Sequence, residues 1–225
     1  LGEATAHLLA QGARLGLVDD DAGQPVGQCR RFSQAFGQVI DAKSPYTGGH
    51  SERVGFYCDA VAAEVGIPAE VRRSLRRAAV LHDVGKLAVS SAILEKPGKL
   101  DDTEWQVMRS HASHTADILS HIGPMRDMAM IAAAHHERLD GSGYPLGLDG
   151  ATISMGSRII TVCDFYDALT AARPYRGAMP AENALGIMAD EVGKAIDPEC
   201  FAALTPIVGK GEAIIPLSAM PAILA

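Results

Sequence analysis

The chain has 225 residues, 48% of them hydrophobic, and a formal net charge of −7. That apolar fraction sustains a full core and excludes intrinsic disorder, while the acidic balance excludes duplex nucleic acid or an anionic membrane as the main partner. Four scattered cysteines (Cys29, Cys58, Cys163, Cys200) form no CxxC pair, which excludes a disulfide framework and a zinc–thiolate site and fits a reducing compartment.

The elements follow in chain order. HLLAQ near the start has helical spacing, and RLGLV before DDDAG reads as one arm of a hairpin from the end of an upstream region. CRRFSQAFGQVIDA and ERVGFYCDAVAAEVG place apolar residues at three- and four-residue intervals and predict helices. Pro68 opens the next helix, which the pattern carries through VRRSLRRAAVLHDVG to end near Gly85. After the KPGKL turn, Asp101 or Asp102 caps a helix over DTEWQVMRSHASHTADILSHI, stopped by Gly123-Pro124, with Trp105 expected in the core. MRDMAMIAAAHHE predicts one further helix, and residues 139–153 a structured loop. SRIITVCDFYDALTAA, ENALGIMADEV and PECFAALTPIV complete an all-α reading. Residues 1–27 read as a remnant or linker from an upstream region, 28–209 as the domain, and 210–225 as a tail. No apolar run reaches the ~18 residues of a membrane span, and the tail IIPLSAMPAILA reads as surface-packing. The start at Leu1 reads as a fragment of a longer protein.

The chemistry concentrates in His and Asp. In LHDVGK, helical spacing puts His82 and Lys86 on one face with Asp83 beside them: an imidazole, a carboxylate able to bridge two ions, and an ammonium. A His-Asp pair alone is a weak signal, equally met at a helix end. Here it is joined by His50 after YTGG, by mid-helix His111, by adjacent His135 and His136, and by Asp164 in the apolar run IITVCDFYDAL. A carboxylate on an apolar face is costly unless paired or metal-bound. Imidazoles and carboxylates on separate helical segments match the way a bundle builds a metal centre, and a mixed N/O donor set suits Mn, Fe, Ni or Zn.

HDVGK, His111, HHERLDGSGYP and DFYDALTAARPYR stand in the order and approximate spacing of the HD-GYP family, and YTGGHSERV is similar to that family's opening helix. The chain therefore resembles the bacterial, metal-dependent HD-GYP phosphodiesterases of cyclic di-GMP over about residues 40–208. The resemblance implies an HD-type helical bundle with an internal di-metal site. Its ligands fall on His50, His82, Asp83, His111, His135, His136 and Asp164, with Asp83 bridging and catalytic together with Lys86. It implies substrate contacts at Tyr144, Pro145, Arg173 and Arg176, Tyr144 stacking on guanine, hydrogen-bonding to the dinucleotide, or packing its turn. Tyr46 stands where some members carry a glutamate ligand to a third metal, so two divalent transition metals are expected. Thr115 stands where the family has glycine, and Leu139 where tryptophan is common.

A hydroxide bridging the two metals would attack phosphorus in line with the departing ribose oxygen, with Lys86 and the arginines offsetting phosphoryl charge. His114 is available to protonate the leaving oxygen or stands as a supporting or surface histidine, and His7 and His121 read as surface. Asp140, Gly141 and Gly143 read as turn chemistry, Asp167 as a carboxylate that orients a ligand or caps packing rather than binding metal, and Cys163 as core. The expected substrate is cyclic di-GMP or cyclic GMP-AMP, opened to the linear dinucleotide or GMP in a bacterial cytoplasm. An upstream sensor or receiver domain, a homodimer and a signalling protein are the partners this family implies. The alternatives are an HD-type phosphohydrolase of another nucleotide and a catalytically silent module that binds the dinucleotide or a protein.

Overall fold

The computed structural model describes residues 26–43, 48–171 and 177–209. The expected N-terminal helix and hairpin arm, the C-terminal tail, Tyr46, Arg173 and Arg176 lie outside them. The described residues form helices α1 (Val26–Lys43), α2 (His50–Glu64), α3 (Ala69–Val80), α4 (Ser91–Leu94), α5 (Asp102–Ser120), α6 (Ala129–Ala133), α7 (Met155–Thr170), α8 (Ala181–Ala189) and α9 (Pro198–Val208). Only isolated bridges, Asp140 with Asp149 and Val192 with Ile196, represent extended pairing among them.

α2 buries His50, Val54, Cys58 and Val61, a stripe one helix face wide that meets α7 at Cys58, whose Sγ donates to Ile159 O (3.9 Å). It packs beside α3, which buries Leu75, Ala78 and Ala79. Gly55 lets the two helices close up: a Cβ there would stand 2.8 Å from Val80 Cγ2. α7 crosses behind, burying Ile159, Ile160, Cys163 and Tyr166, and α9 seals the far side with Cys200 and Leu204. Caps match the sequence: Asp101 accepts from Glu104 N in a capping box, and Asp197 caps α9.

Two predicted helices are broken, both at the site. α3 stops at Val80 rather than near Gly85. Its hydrogen bonds tighten to the three-residue spacing, with Val84 N donating to Leu81 O and Lys86 N to Asp83 O, and a 3-10 turn follows over Val84–Ala88. The cause is contact with α5. A Cβ on Gly85 would lie 1.9 Å from the His111 carbonyl oxygen, and the Thr115 hydroxyl both accepts from Gly85 N (3.0 Å) and donates to His82 O (2.9 Å). His82 and Lys86 therefore meet through a tight turn, not along one α-helical face. The segment expected as one helix over 125–137 is instead a 3-10 turn (Gly123–Met128), α6, and a second 3-10 turn (Ala134–His136). Hydroxyls of α7 take carbonyls that a continuous helix would use: Ser157 donates to Ile131 O (3.0 Å) and Thr161 to His135 O (2.8 Å).

Candidate metal centre

The breaks deliver the histidines. His50 starts α2 behind Gly49, whose left-handed φ of 71° turns the chain into the helix. His82 and Asp83 leave α3, His111 lies mid-α5, His135 and His136 occupy the second 3-10 turn, and Asp164 lies on α7. All seven converge. His111, His135 and His136 form one group whose donor atoms lie within 4.8 Å of each other, as do His50, His82 and Asp164, and His82, Asp83 and His135. Asp83 stands between the groups. Its Oδ1 lies 3.5 Å from His111 Nε2 and 3.9 Å from His135 Nε2, while Oδ2 lies 3.3 Å from His82 Nε2 and 3.8 Å from His50 Nε2. Asp164 Oδ1 closes the second side, 3.4 Å from His50 Nε2.

The imidazoles are aimed by their other nitrogen. Nδ1–H of His82, His111 and His135 each donates to the carbonyl three residues back, Ala79, Met108 and Ala132, at 2.7, 2.6 and 2.7 Å. His50 donates instead to Asp167 Oδ2 at 2.7 Å. With Nδ1 committed to these bonds, Nε2 is the nitrogen each ring can offer to a metal. Asp83 Oδ1, His111 Nε2 and His135 Nε2 are fully buried without a hydrogen-bond partner. Orphaned acceptors of this kind are expensive in a dry interior, and three around one carboxylate fit bound cations.

The electrostatics agree. Burial pushes the proton affinity of His111, His135 and His136 down, His136 to about 4, so these imidazoles stay neutral. Burial also opposes charge on His82, but Asp83 and Asp164 outweigh it and raise its pKa to about 9: the carboxylates call for a positive charge there. Asp83 is buried too, yet Lys86 and His82 hold it well below the usual carboxylate range, with Lys86 Nζ directly on its Oδ2.

Residues that the motifs did not single out support the centre. Arg53 binds Asp167 through Nε (2.6 Å) and Nη2 (3.0 Å) and Gly48 O through Nη1 (2.8 Å), locking the carboxylate that aims His50. Glu137, 2% exposed, accepts from Leu146 N (2.6 Å) and Leu148 N (2.8 Å) and folds the GYP loop back over the histidines. Its place beside two candidate ligands was the available signal. Gly143 is a contact glycine: a Cβ would meet Arg138 N at 2.4 Å and Glu137 Cα at 2.5 Å. Asp140 serves its turn, accepting from Ser142 N and Oγ.

A cleft of about 350 Å³ opens over the donors, lined by His50, Asp83, His136 and Asp164 on its floor and by Lys43, Arg53 and Lys86 among them. Tyr144 lines it with its ring 4.7 Å from His136, whereas Pro145, joined to it by a cis bond, is not among the lining residues. Trp105 is not core as expected: it is 47% exposed and lines the cleft. His114 and His121 are exposed on and after α5, away from the lining.

A protein-family profile described as "HD domain" matches residues 34–200. The 3′3′-cGAMP-specific phosphodiesterase 3 of Vibrio cholerae is 57% identical over 170 residues, covering 76% of this chain and 37% of that protein. The cyclic di-GMP phosphodiesterase response regulator RpfG of Xanthomonas campestris is 39% identical over 171 residues, covering 74% of this chain and 45% of that protein. The crystal structure of a cyclic GMP-AMP-specific phosphodiesterase of V. cholerae (V-cGAP3) superposes with a TM-score of 0.54 at 47% identity, over 85% of this chain and 42% of that one. An HD-GYP protein of Bdellovibrio bacteriovorus, 17% identical, shares the fold with a TM-score of 0.61 over 88% of this chain and 70% of that one. The chain belongs to the HD domain family. It spans less than half the length of the curated relatives it matches. No helix among the described residues is long and apolar enough to cross a membrane.

Proposed function

We propose that this chain is the catalytic domain of a metal-dependent phosphodiesterase that opens a cyclic dinucleotide to its linear form, with 3′3′-cGAMP favoured and cyclic di-GMP the second substrate. The observation that carries this reading is the split of Asp83: one oxygen faces His111 and His135, the other His82 and His50, with orphaned acceptors around it. That arrangement supports two divalent transition ions sharing one carboxylate. His50, His82, Asp83 and Asp164 would hold one, and Asp83, His111, His135 and His136 the other. Ions held there supply Lewis-acid activation of water and screening of phosphoryl charge.

The chain's own groups do the rest. Lys86, anchored on Asp83 at the cleft floor, sets a point charge beside an incoming phosphodiester. Asp167 keeps the His50 proton on Nδ1, so the Nε2 lone pair stays free for a cation. A water oxygen bonds to phosphorus as the bond to one ribose 3′ oxygen breaks; one water proton ends on that oxygen as a 3′-hydroxyl, the other passes to solvent, and a linear dinucleotide with a terminal 5′-phosphate leaves. The preference for 3′3′-cGAMP is supported by the 57% identity to a phosphodiesterase named for it. Arg173 and Arg176 complete the proposal as phosphate contacts, on the family resemblance of ARPYR.

The test loads the protein with Mn or Fe(II) and follows 3′3′-cGAMP, cyclic di-GMP, linear pGpG and a simple phosphomonoester by chromatography. Turnover of the cyclic dinucleotides, 3′3′-cGAMP fastest, is expected; turnover of the monoester alone, or binding without cleavage, overturns the reading. Asp83→Ala should abolish both metal content and hydrolysis.

A further inference from the structure

The start of α5 is held on three sides. Asp101 caps it, Glu104 returns a bond to the Asp101 N–H, and Lys96 of the KPG turn binds the same Glu104 carboxylate. The next residue is Trp105, the only tryptophan of the chain. Its indole lines the cleft with nearly half its surface in water, forgoing burial that an apolar ring would otherwise gain. One turn on, the Arg109 guanidinium carbon lies 5.7 Å from the Trp105 ring centre and 5.2 Å from that of Tyr144. Cation–π attraction to both rings holds this row in place. Tyr144 packs on His136, so Trp105, Arg109, Tyr144 and His136 form a continuous series from solvent to the metal donors. Leu100 and Met108 extend the wall beside it.

We infer that Trp105 is the platform on which one purine of the cyclic dinucleotide stacks, with Arg109 as the positioning residue that fixes the indole against Tyr144. This rests on the phosphodiesterase reading above. A phosphodiester on the cleft floor carries a nucleoside on each side, and a planar, apolar face with a flanking cation is the surface a base recognises. The wall is specific to nucleotides: a simple phosphate ester has nothing to lay on it. Stacking acts on substrate and transition state alike, so its loss appears in KM and leaves kcat.

Because all indole emission comes from Trp105, fluorescence reads the contact directly. The metal-loaded chain is titrated with a phosphorothioate-bridged, hydrolysis-resistant analogue of 3′3′-cGAMP, with binding followed in parallel by equilibrium dialysis. Saturable quenching is expected. Trp105→Ala should raise Kd and KM by about 5- to 150-fold, the range of one base–aromatic stack, with kcat held within about threefold, and Trp105→Phe should restore most of the loss. Bound analogue with unchanged emission, or a wild-type KM in Trp105→Ala, overturns the platform while cleavage by the parent chain leaves the phosphodiesterase reading standing. A parent chain that neither binds nor cleaves cyclic dinucleotides overturns both.

Discussion

Replacing Asp167 by Asn tests whether a residue outside the ligand set governs the metal centre. Asp167 is 2% exposed; burial works against its charge, but the bonds from His50 and Arg53 outweigh that and hold it below the usual carboxylate range. It accepts from His50 Nδ1 at 2.7 Å and from Arg53 at 2.6 and 3.0 Å. An asparagine has one acceptor oxygen: an NH2 at the Oδ1 position meets Arg53 Nε, and one at the Oδ2 position meets both His50 Nδ1 and Arg53 Nη2. Losing a charge-assisted bond costs ~1.5–3 kcal/mol. The Arg53 side chain keeps 22% exposure, which holds the cost below that of a fully buried broken pair. We expect a loss of about 2–3 kcal/mol in stability. If the NH2 faces His50, Nδ1 becomes the acceptor, Nε2 takes the proton, and metal affinity falls about 10–100-fold. Metal content after dialysis against graded chelator, with thermal melting of the stripped protein, measures both effects. Wild-type metal retention together with unchanged melting would refute the reasoning.

Further outcomes follow from the same contacts. Thr115→Val removes the hydroxyl that joins Gly85 N to His82 O and should lower stability by ~1–3 kcal/mol, while Thr115→Ser retains it; equal melting of the two variants contradicts this role. Gly143→Ala sets a Cβ against backbone atoms at 2.4 and 2.5 Å that cannot give way singly, so the GYP loop must shift; unaltered melting and turnover would show the approach to be looser. In the metal-stripped protein, the raised His82 contributes stability that is full below pH 6.5 and lost as pH rises through about 9. The depressed His136 contributes stability that is full above pH 6.5 and lost as pH falls toward about 4. The melting temperature should therefore peak near pH 6.5, and a profile flat from pH 4 to 9 falsifies the assignment.

Helical periodicity was enough to find α2, α5, α7 and α9, because each buries one stripe against neighbours. It failed at Leu81 and at Ala134, where the apolar pattern runs on while the chain turns. There the deciding forces are tertiary: the backbone contact at Gly85, and α7 hydroxyls taking carbonyls of the preceding segment. The seven donors were legible as residue types that an apolar helix does not otherwise keep. Arg53 was not, since its partner Asp167 is 114 positions away and nothing local marks the pair. Trp105 was misplaced for a related reason: a helix face looking into a cleft carries the same apolar spacing as one facing a core.

The anchoring of the imidazoles makes the two sides of the centre unequal in their dependence on the rest of the molecule. His111 and His135 take their aim from carbonyls three residues back, as His82 does, although Thr161 of α7 also holds the His135 carbonyl. The opposite side is assembled over distance: His50 opens α2, while Asp164 and the Asp167 that aims His50 both sit on α7. A fluctuation that lifts α7 from α2 parts Asp164 and Asp167 from His50 in a single movement, while the Nδ1 bonds of His82, His111 and His135 stay within their own segments. In the proposed two-ion centre, loss of the α7–α2 contact therefore strips the position that takes His50 and Asp164 first.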